Sequence, residues 1–95
     1  GSAILDLQSR CPRTKRMPSK NHLELIYSDG VLTLLSNYYE GVFSLSFENN
    51  ESGEYYEIPS IFVGESISFE LTSGVYQVDA ISTDGTILSG IMEIL

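Results

Sequence analysis

The residues best suited to chemistry cluster near the middle of the chain. Four glutamates and two asparagines lie close together there: Glu48, Asn49, Asn50, Glu51, Glu54 and Glu57. Carboxylate and amide oxygens bind hard cations such as calcium, which takes about six to eight oxygen ligands. The spacing does not match an EF-hand loop, and no aromatic cleft is implied around paired carboxylates that would hydrolyse a glycosidic bond. We therefore interpret this stretch, the acidic hairpin (48–57), as a solvated tip, and predict neither a metal site nor catalytic residues in it.

Two tyrosine pairs, Tyr38-Tyr39 and Tyr55-Tyr56, place phenol rings beside predicted strands. Such rings can form a platform for a sugar, but tryptophan is absent and tyrosine is favoured on pleated surfaces, so we interpret them as edge-strand packing. His22 has no cysteine or second histidine near it in the sequence, which supports neither a metal site nor a catalytic triad. No Gly-x-Ser-x-Gly motif is present. The sequence therefore predicts a protein that is not an enzyme and needs no cofactor.

Charge is distributed unevenly along the chain. All five basic residues lie in one short segment: Arg10, Arg13, Lys15, Arg16 and Lys20. Residues 1–20 carry these five bases and Asp6, a net charge of +4, whereas residues 21–95 carry twelve acids without a Lys or Arg, a net charge of −12. A nucleic-acid backbone requires Lys or Arg to displace its counterions, so we predict no nucleic-acid partner. The basic segment, which contains two prolines, is predicted to be a solvated linker over residues 9–20.

The length of 95 residues is sufficient for one domain with its own core. No run of about eighteen apolar residues exists, so we predict no membrane insertion. The single cysteine, Cys11, can form neither an internal disulfide nor a cysteine-based zinc site. Residues 1–2 (Gly-Ser) are typical of a cloning or protease remnant. We predict an N-terminal strand and basic linker over residues 3–20 and a β-sandwich body over residues 21–95, which together make one domain.

Turn signals recur at a nearly constant step. Glycines at positions 30, 41, 53, 64, 74 and 85 are separated by 11, 12, 11, 10 and 11 residues, a spacing typical of all-β sandwiches. The intervening runs alternate with period two, as in Phe43, Leu45 and Phe47. We predict strands near 3–8, 22–28, 31–36, 41–48, 54–59, 66–71, 74–82 and 86–94. The predicted fold is an all-β, immunoglobulin-like antiparallel β-sandwich of about seven strands with Greek-key connections, with a bulge at Gly90 in the last strand.

One motif indicates how the strands connect. Leu71, Gly74 and Tyr76 have the spacing of a tyrosine corner, in which a tyrosine near the start of strand F bonds to the backbone a few residues upstream. That bond holds the crossover between strands E and F of an immunoglobulin-like sandwich. We predict that these three residues have this structural role; the alternative is an ordinary tyrosine at the edge of the core.

The C-terminal part of the chain resembles a known family. The residues that carry the resemblance are Gly74-x-Tyr76-x-Val78, Thr83-Asp84-Gly85 and Ile87-Leu88-Ser89-Gly90-x-Met92-x-Ile94. They resemble a small secreted domain family of unknown function from gut bacteria, which has an immunoglobulin or fibronectin type III-like fold. The opening strand at Ile4, the arginine-containing stretch and the strand at 22–28 fit its layout, so the resemblance covers most of residues 3–95. It implies a periplasmic or extracellular location and supplies no catalytic residues.

The same C-terminal half is also similar to the terminal sorting domains that direct proteins through an outer-membrane secretion system. Those domains usually follow a cargo domain and end in basic residues, whereas this chain ends in Met92-Glu93-Ile94-Leu95. We expect instead a non-enzymatic module for binding, adhesion or structural assembly, secreted or located in the periplasm or at the cell surface. Its expected partner is an extracellular protein or glycan, and weak self-association through edge strands is a further expectation.

Overall fold

The computed structural model describes residues 2–9 and 22–95, which form eight strands and no helix. The strands are β1 (Ser2–Ser9), β2 (Leu23–Ser28), β3 (Val31–Ser36), β4 (Val42–Asn49), β5 (Tyr55–Phe62), β6 (Ser66–Ser68), β7 (Gly74–Ser82) and β8 (Ile87–Ile94). All paired neighbours are antiparallel, so the prediction of an all-β antiparallel fold is confirmed, with eight strands rather than about seven. The described residues contain no helix able to cross a membrane. The basic segment of the predicted linker, with Cys11, lies outside the described residues.

The strands form one continuous sheet in the order β5-β4-β7-β8-β1-β2-β3-β6. Strand β1 joins its two halves, because its residues 2–7 pair with β2 while Gln8 and Ser9 pair with Ser89 and Leu88 of β8. The chain crosses from one half to the other between β3 and β4, returns for β6 and crosses again to β7. The sheet curls into a half-barrel, so that the inward-facing side chains of both halves share one hydrophobic core.

The predicted alternation of apolar and polar residues decides which face of each strand is buried. Phe43, Leu45 and Phe47 of β4 are buried, whereas the residues between them are only half-buried. In β2, Leu23 and Leu25 are likewise fully buried. Burial of a large apolar side chain contributes about 1.5–3 kcal/mol relative to leaving it in water. The inner face of the sheet therefore supplies most of the stabilisation.

Two strands differ in length from their predicted ranges. β6 has only three residues rather than the predicted 66–71, because its one neighbour, β3, begins at Val31. The backbone N–H of Phe69 still donates to the carbonyl of Gly30, in the turn before β3. β5 runs on to Phe62 through an irregularity, since Phe43 pairs with Ile61 but Leu45 pairs with Ile58, which leaves one extra residue on β5. The bulge coincides with Pro59, which an edge strand accommodates because it need not donate to a second neighbour.

The predicted bulge at Gly90 is wrong. Gly90 pairs with Val78 in an uninterrupted ladder between β7 and β8. A Cβ atom at this position would lie 2.8 Å from Cδ1 of Leu5 and 3.3 Å from its Cγ. A side chain at position 90 would therefore force Leu5, from β1, to move, because Leu5 packs directly over the backbone of β8.

We expect Gly90→Ala to lower the free energy of unfolding by about 1 kcal/mol, since the added methyl displaces Leu5 from the core. Urea denaturation of Gly90→Ala, of Leu5→Ala and of the variant that combines them measures the effect. Leu5→Ala removes the three atoms nearest to the added methyl, so the loss caused by Gly90→Ala should be much smaller in that background. Equal losses from Gly90→Ala in both backgrounds would contradict a direct contact between the two residues.

Candidate functional site

Two tyrosines hold the connection between β6 and β7. The hydroxyl of Tyr76 donates to the backbone carbonyl of Thr72 at 2.9 Å, and the ring of Tyr76 is fully buried. The backbone N–H of Leu71 donates to the hydroxyl of Tyr27 at 3.0 Å. Because Tyr27 belongs to β2 and Tyr76 to β7, the connection is fixed to both halves of the sheet. The Tyr76 hydroxyl reaches four residues upstream; the role of this bond as the corner of an immunoglobulin-like sandwich stays a prediction.

Gly74 has a steric role beside Tyr76. Its φ is +148°, which disfavours residues with a side chain, and a Cβ atom there would lie 2.6 Å from Nδ2 of Asn49. Asn49 is the one buried polar residue among those described, and its Oδ1 accepts the backbone N–H groups of Glu51 and Ser52 at 2.8 and 3.0 Å. Gly74 and Tyr76 therefore lie beside Asn49 of the acidic hairpin, whereas Leu71 is bonded to Tyr27 of β2.

The glutamates of the acidic hairpin do not converge. Across residues 2–9 and 22–95, no three His, Cys, Asp or Glu side chains come together in a way that could hold a metal ion. Glu48 lies opposite Tyr55, and Glu57 lies opposite Ser46, two cross-strand positions further along the ladder. Glu54 instead accepts a hydrogen bond from the hydroxyl of Tyr56 at 3.3 Å. All four glutamates are exposed, whereas Asn49 is buried.

In each tyrosine pair one ring packs and the other is exposed. Tyr56 packs against Phe69 with ring centroids 6.0 Å apart, and Tyr39 packs edge-on against Phe43 at 6.1 Å. Their neighbours Tyr38 and Tyr55 keep 61% and 59% of their surface exposed. Edge-strand packing therefore describes only half of these tyrosines.

The exposed ring of Tyr38 borders a cleft of about 440 Å³ where the β3–β4 connection meets the β7–β8 turn. We call it the tyrosine cleft; its lining residues are Tyr38, Tyr39, Glu40, Phe43, Ser82, Thr83, Asp84 and Thr86. Two features position it: Phe43 pairs with Ser82 in the sheet, and the hydroxyl of Ser36 accepts the backbone N–H groups of both tyrosines at 3.0 and 2.7 Å. The two rings meet edge to face, with centroids 5.1 Å apart.

The tyrosine cleft is negatively charged. Asp84 accepts hydrogen bonds from the hydroxyl of Ser82 and from the backbone N–H of Thr86, and these bonds hold the pKa of its carboxyl below the ordinary value. Burial raises the pKa of Tyr39, and the neighbouring Tyr38 adds to this effect, so the phenol stays neutral at physiological pH. Glu40 supplies a second carboxylate. No Lys or Arg occurs in the described part of the chain to balance these two charges.

A second hollow of about 450 Å³ lies beside the start of β2, lined by His22, Glu24, Leu35, Ser36 and Asn37. Its histidine is paired: Nδ1 of His22 lies 3.2 Å from Oδ2 of Asp6. Sequence reasoning missed this pair because only the alignment of β1 beside β2 brings the two residues together. It also missed the tyrosine cleft, for which the adjacent signals were Tyr38-Tyr39 and the turn at Thr83-Asp84-Gly85.

In comparisons with protein-family models, curated proteins and solved structures, the chain matches none. The resemblance to a secreted immunoglobulin-like domain family therefore stays a hypothesis carried by its motif residues. What the molecule could do has to be inferred from the geometry of the tyrosine cleft.

Proposed function

We propose that this chain is a non-enzymatic, extracytoplasmic module that binds a partner molecule through the tyrosine cleft. The observation that carries the proposal is the ring of Tyr38, which is largely exposed and contacts Tyr39 edge to face, while the backbone N–H of Tyr38 donates to Ser36. A rigid, amphipathic ring loses little conformational entropy on binding, which is why tyrosines are enriched at recognition surfaces. Around the ring, two carboxylates and four hydroxyls offer polar contacts to a ligand.

The strand order fits an immunoglobulin-like sandwich, which is the finer fold that we infer. This fold in turn supports the proposed binding function. In such a fold β2, β3 and β6 correspond to strands A, B and E, and β4, β5, β7 and β8 correspond to C, C′, F and G. The tyrosine cleft then lies between the B–C and F–G loops. Antibody variable domains place two of their recognition loops at these positions, so this end of the fold is suited to binding. The likeness is one of architecture, and the residues of the cleft carry the functional inference.

The proposed location outside the cytoplasm rests on two supports. Cell-surface domains frequently adopt immunoglobulin-like sandwiches, and the family that the chain resembles is secreted. The proposed partner is an extracellular protein or a glycan. Either would engage the exposed ring of Tyr38 together with polar groups of the cleft.

We expect a ligand to shift the amide NMR resonances of residues 38–40 and 82–86. The probes to be titrated are maltohexaose, chitohexaose, octalysine and octaglutamate. Tyr38→Ala should weaken the binding of any probe that gives these shifts, because it removes the exposed ring while leaving the fold intact. The matched control is Tyr55→Ala, which removes a similarly exposed tyrosine from the β5 side of the acidic hairpin. Binding that tolerates Tyr38→Ala but not Tyr55→Ala would place the recognition surface elsewhere.

We also expect self-association to increase as the pH falls from 7 towards the sequence pI of about 4.3. The described residues carry all thirteen acids and no Lys or Arg, so neighbouring molecules repel each other at neutral pH. Protonation removes this repulsion and leaves apolar side chains such as Ile4 and Phe62 exposed, together with the edge strands β5 and β6. Light scattering measures the effect. Screening of the charges by about 1 M salt at pH 7 should also increase self-association in part. A protein that stays monomeric at pH 4.3 would show that charge repulsion is not what prevents association.

A further inference from the structure

The tyrosine cleft combines aromatic rings with negative charge that no Lys or Arg of residues 2–9 and 22–95 offsets. Glu40 and Asp84 are its two carboxylates, and the hydrogen bonds from Ser82 and Thr86 keep Asp84 in its ionised form. Every basic side chain of the molecule other than His22 lies in residues 10–20, outside the described structure. A cation entering the cleft would therefore gain attraction from both acids without meeting a Lys or Arg on its walls.

The tyrosine rings of the cleft also favour a cationic ligand. A Lys ammonium or Arg guanidinium is attracted to the face of a tyrosine when it lies within about 6 Å of the ring centroid. Tyr39 contacts Tyr38 edge to face, and most of the Tyr38 surface remains open to a ligand. The hydroxyl oxygen of Thr83, at the rim of the turn, can accept a hydrogen bond from an N–H donor.

We infer that the tyrosine cleft binds a lysine or arginine side chain presented by a basic segment of a partner protein. The inference rests on the proposed binding function and specifies its ligand. A neutral sugar could also use the rings and the carboxylates as partners, but it would leave two negative charges without a counter-charge. Charge complementarity therefore favours a basic protein segment over a glycan.

The probe for this inference is an octalysine peptide, titrated into the full-length protein and followed by NMR. We expect progressive shifts of the amides of residues 38–40 and 82–86. Tyr38→Ala should weaken octalysine binding about two- to fivefold, the effect of an exposed cation–π contact, whereas Tyr38→Phe should preserve binding because the ring remains. Glu40→Gln should weaken binding by a similar factor.

The matched control is Glu51→Gln, which removes one negative charge from the acidic hairpin. Glu51 follows Asn49, the last residue of β4, whereas Phe43 and the tyrosine cleft lie at the other end of this strand. Glu51→Gln removes as much negative charge as Glu40→Gln does, so it measures the diffuse attraction between octalysine and an acidic protein. We expect it to change the affinity less than about 1.5-fold, because an exposed charge far from the site is screened.

Three outcomes would overturn the inference, and they differ in what they say about the proposed function. Equal losses from Glu40→Gln and Glu51→Gln would show that octalysine binds by diffuse attraction only. Cleft shifts with maltohexaose or chitohexaose, but not with octalysine, would retain the binding function and replace its ligand by a glycan. No cleft shifts with any probe of the panel would contradict both the inference and the proposed function.

A fourth outcome concerns the chain's own basic residues. The described residues on either side of them, Ser9 and His22, contact residues that adjoin the cleft. Ser9 pairs with Leu88, which follows the β7–β8 turn, and the backbone N–H of His22 donates to Oδ1 of Asn37, next to Tyr38. Exchanging all five bases for glutamine tests whether the chain supplies its own occupant. If that exchange alone shifts the cleft amides of the free protein, the ligand is the chain's own segment and the inference of a partner is overturned.

Discussion

Residues 21–95 produced without strand β1 are expected to lose about 3–6 kcal/mol of unfolding free energy relative to the full chain, from the two leucines alone. Leu5 and Leu7 of β1 are 8% and 2% exposed, and both belong to the shared hydrophobic core. β1 also pairs with β2 and β8 and so joins the two halves of the sheet. Since small domains are stable by only about 5–15 kcal/mol, the shortened chain should be close to unfolding. Urea denaturation measures the difference.

Trypsin provides the complementary experiment, because every Lys and Arg lies between residues 10 and 20. Cleavage there breaks the chain but leaves β1 paired in the sheet, so the nicked protein should elute as one species in gel filtration and separate only in denaturant. A synthetic peptide of residues 2–9 should restore stability to residues 21–95. An isolated 21–95 chain as stable as the uncut protein would show that β1 contributes little to the core.

Sequence reasoning located most strands because their signals are local. The alternation of Phe43, Leu45 and Phe47 predicts a buried face directly, and Asp29-Gly30 has the positive φ angles, 50° and 79°, of the predicted hairpin turn. The order of the strands in the sheet has no such local signal. Period-two alternation says which side of a strand is buried but not which strand lies beside it, so nothing local placed Ser9 beside Leu88. The steric role of Gly90 was missed for the same reason.

The candidate site was predictable only in part. Tyr38-Tyr39 and the turn at Asp84 could be recognised individually, but the sequence does not show that Phe43 pairs with Ser82 and so brings the two loops together. Nor does it distinguish the exposed ring of Tyr38 from the packed ring of Tyr39, because the loop that orients them is fixed by Ser36. Side chains that meet across two connections become visible only once the sheet is assembled.

Tyr27, in the core, is another residue whose contacts cannot be predicted from the sequence. It occupies an inward-facing position of β2 and therefore looks like an ordinary buried residue in the sequence, whereas Tyr76 lies in a recognisable motif. The hydroxyl of Tyr27 nevertheless accepts the backbone N–H of Leu71, which is 44 residues away in the chain. The two hydroxyls hold consecutive residues, Leu71 and Thr72, from opposite halves of the sheet.

We expect Tyr27→Phe to lower the free energy of unfolding by about 2 kcal/mol and Tyr76→Phe by about 1 kcal/mol. Tyr27→Phe leaves the N–H of a buried residue, Leu71, without its acceptor, and water has little access to replace it. Tyr76→Phe frees the carbonyl of Thr72, an exposed residue that can turn to solvent. Urea denaturation measures both losses. Tyr55→Phe, which removes a phenol hydroxyl from an exposed ring, serves as the control and should change stability by less than about 0.5 kcal/mol.

The double variant tests whether the two tyrosines act on one connection. Because Leu71 and Thr72 are adjacent, loosening one frees the other, and the combined loss should be smaller than the sum of the single losses. Strict additivity would mean that each hydroxyl stabilises its partner independently. A loss near zero for Tyr76→Phe would show that the bond to Thr72 contributes nothing to folding and would remove the physical basis for a tyrosine corner in this chain.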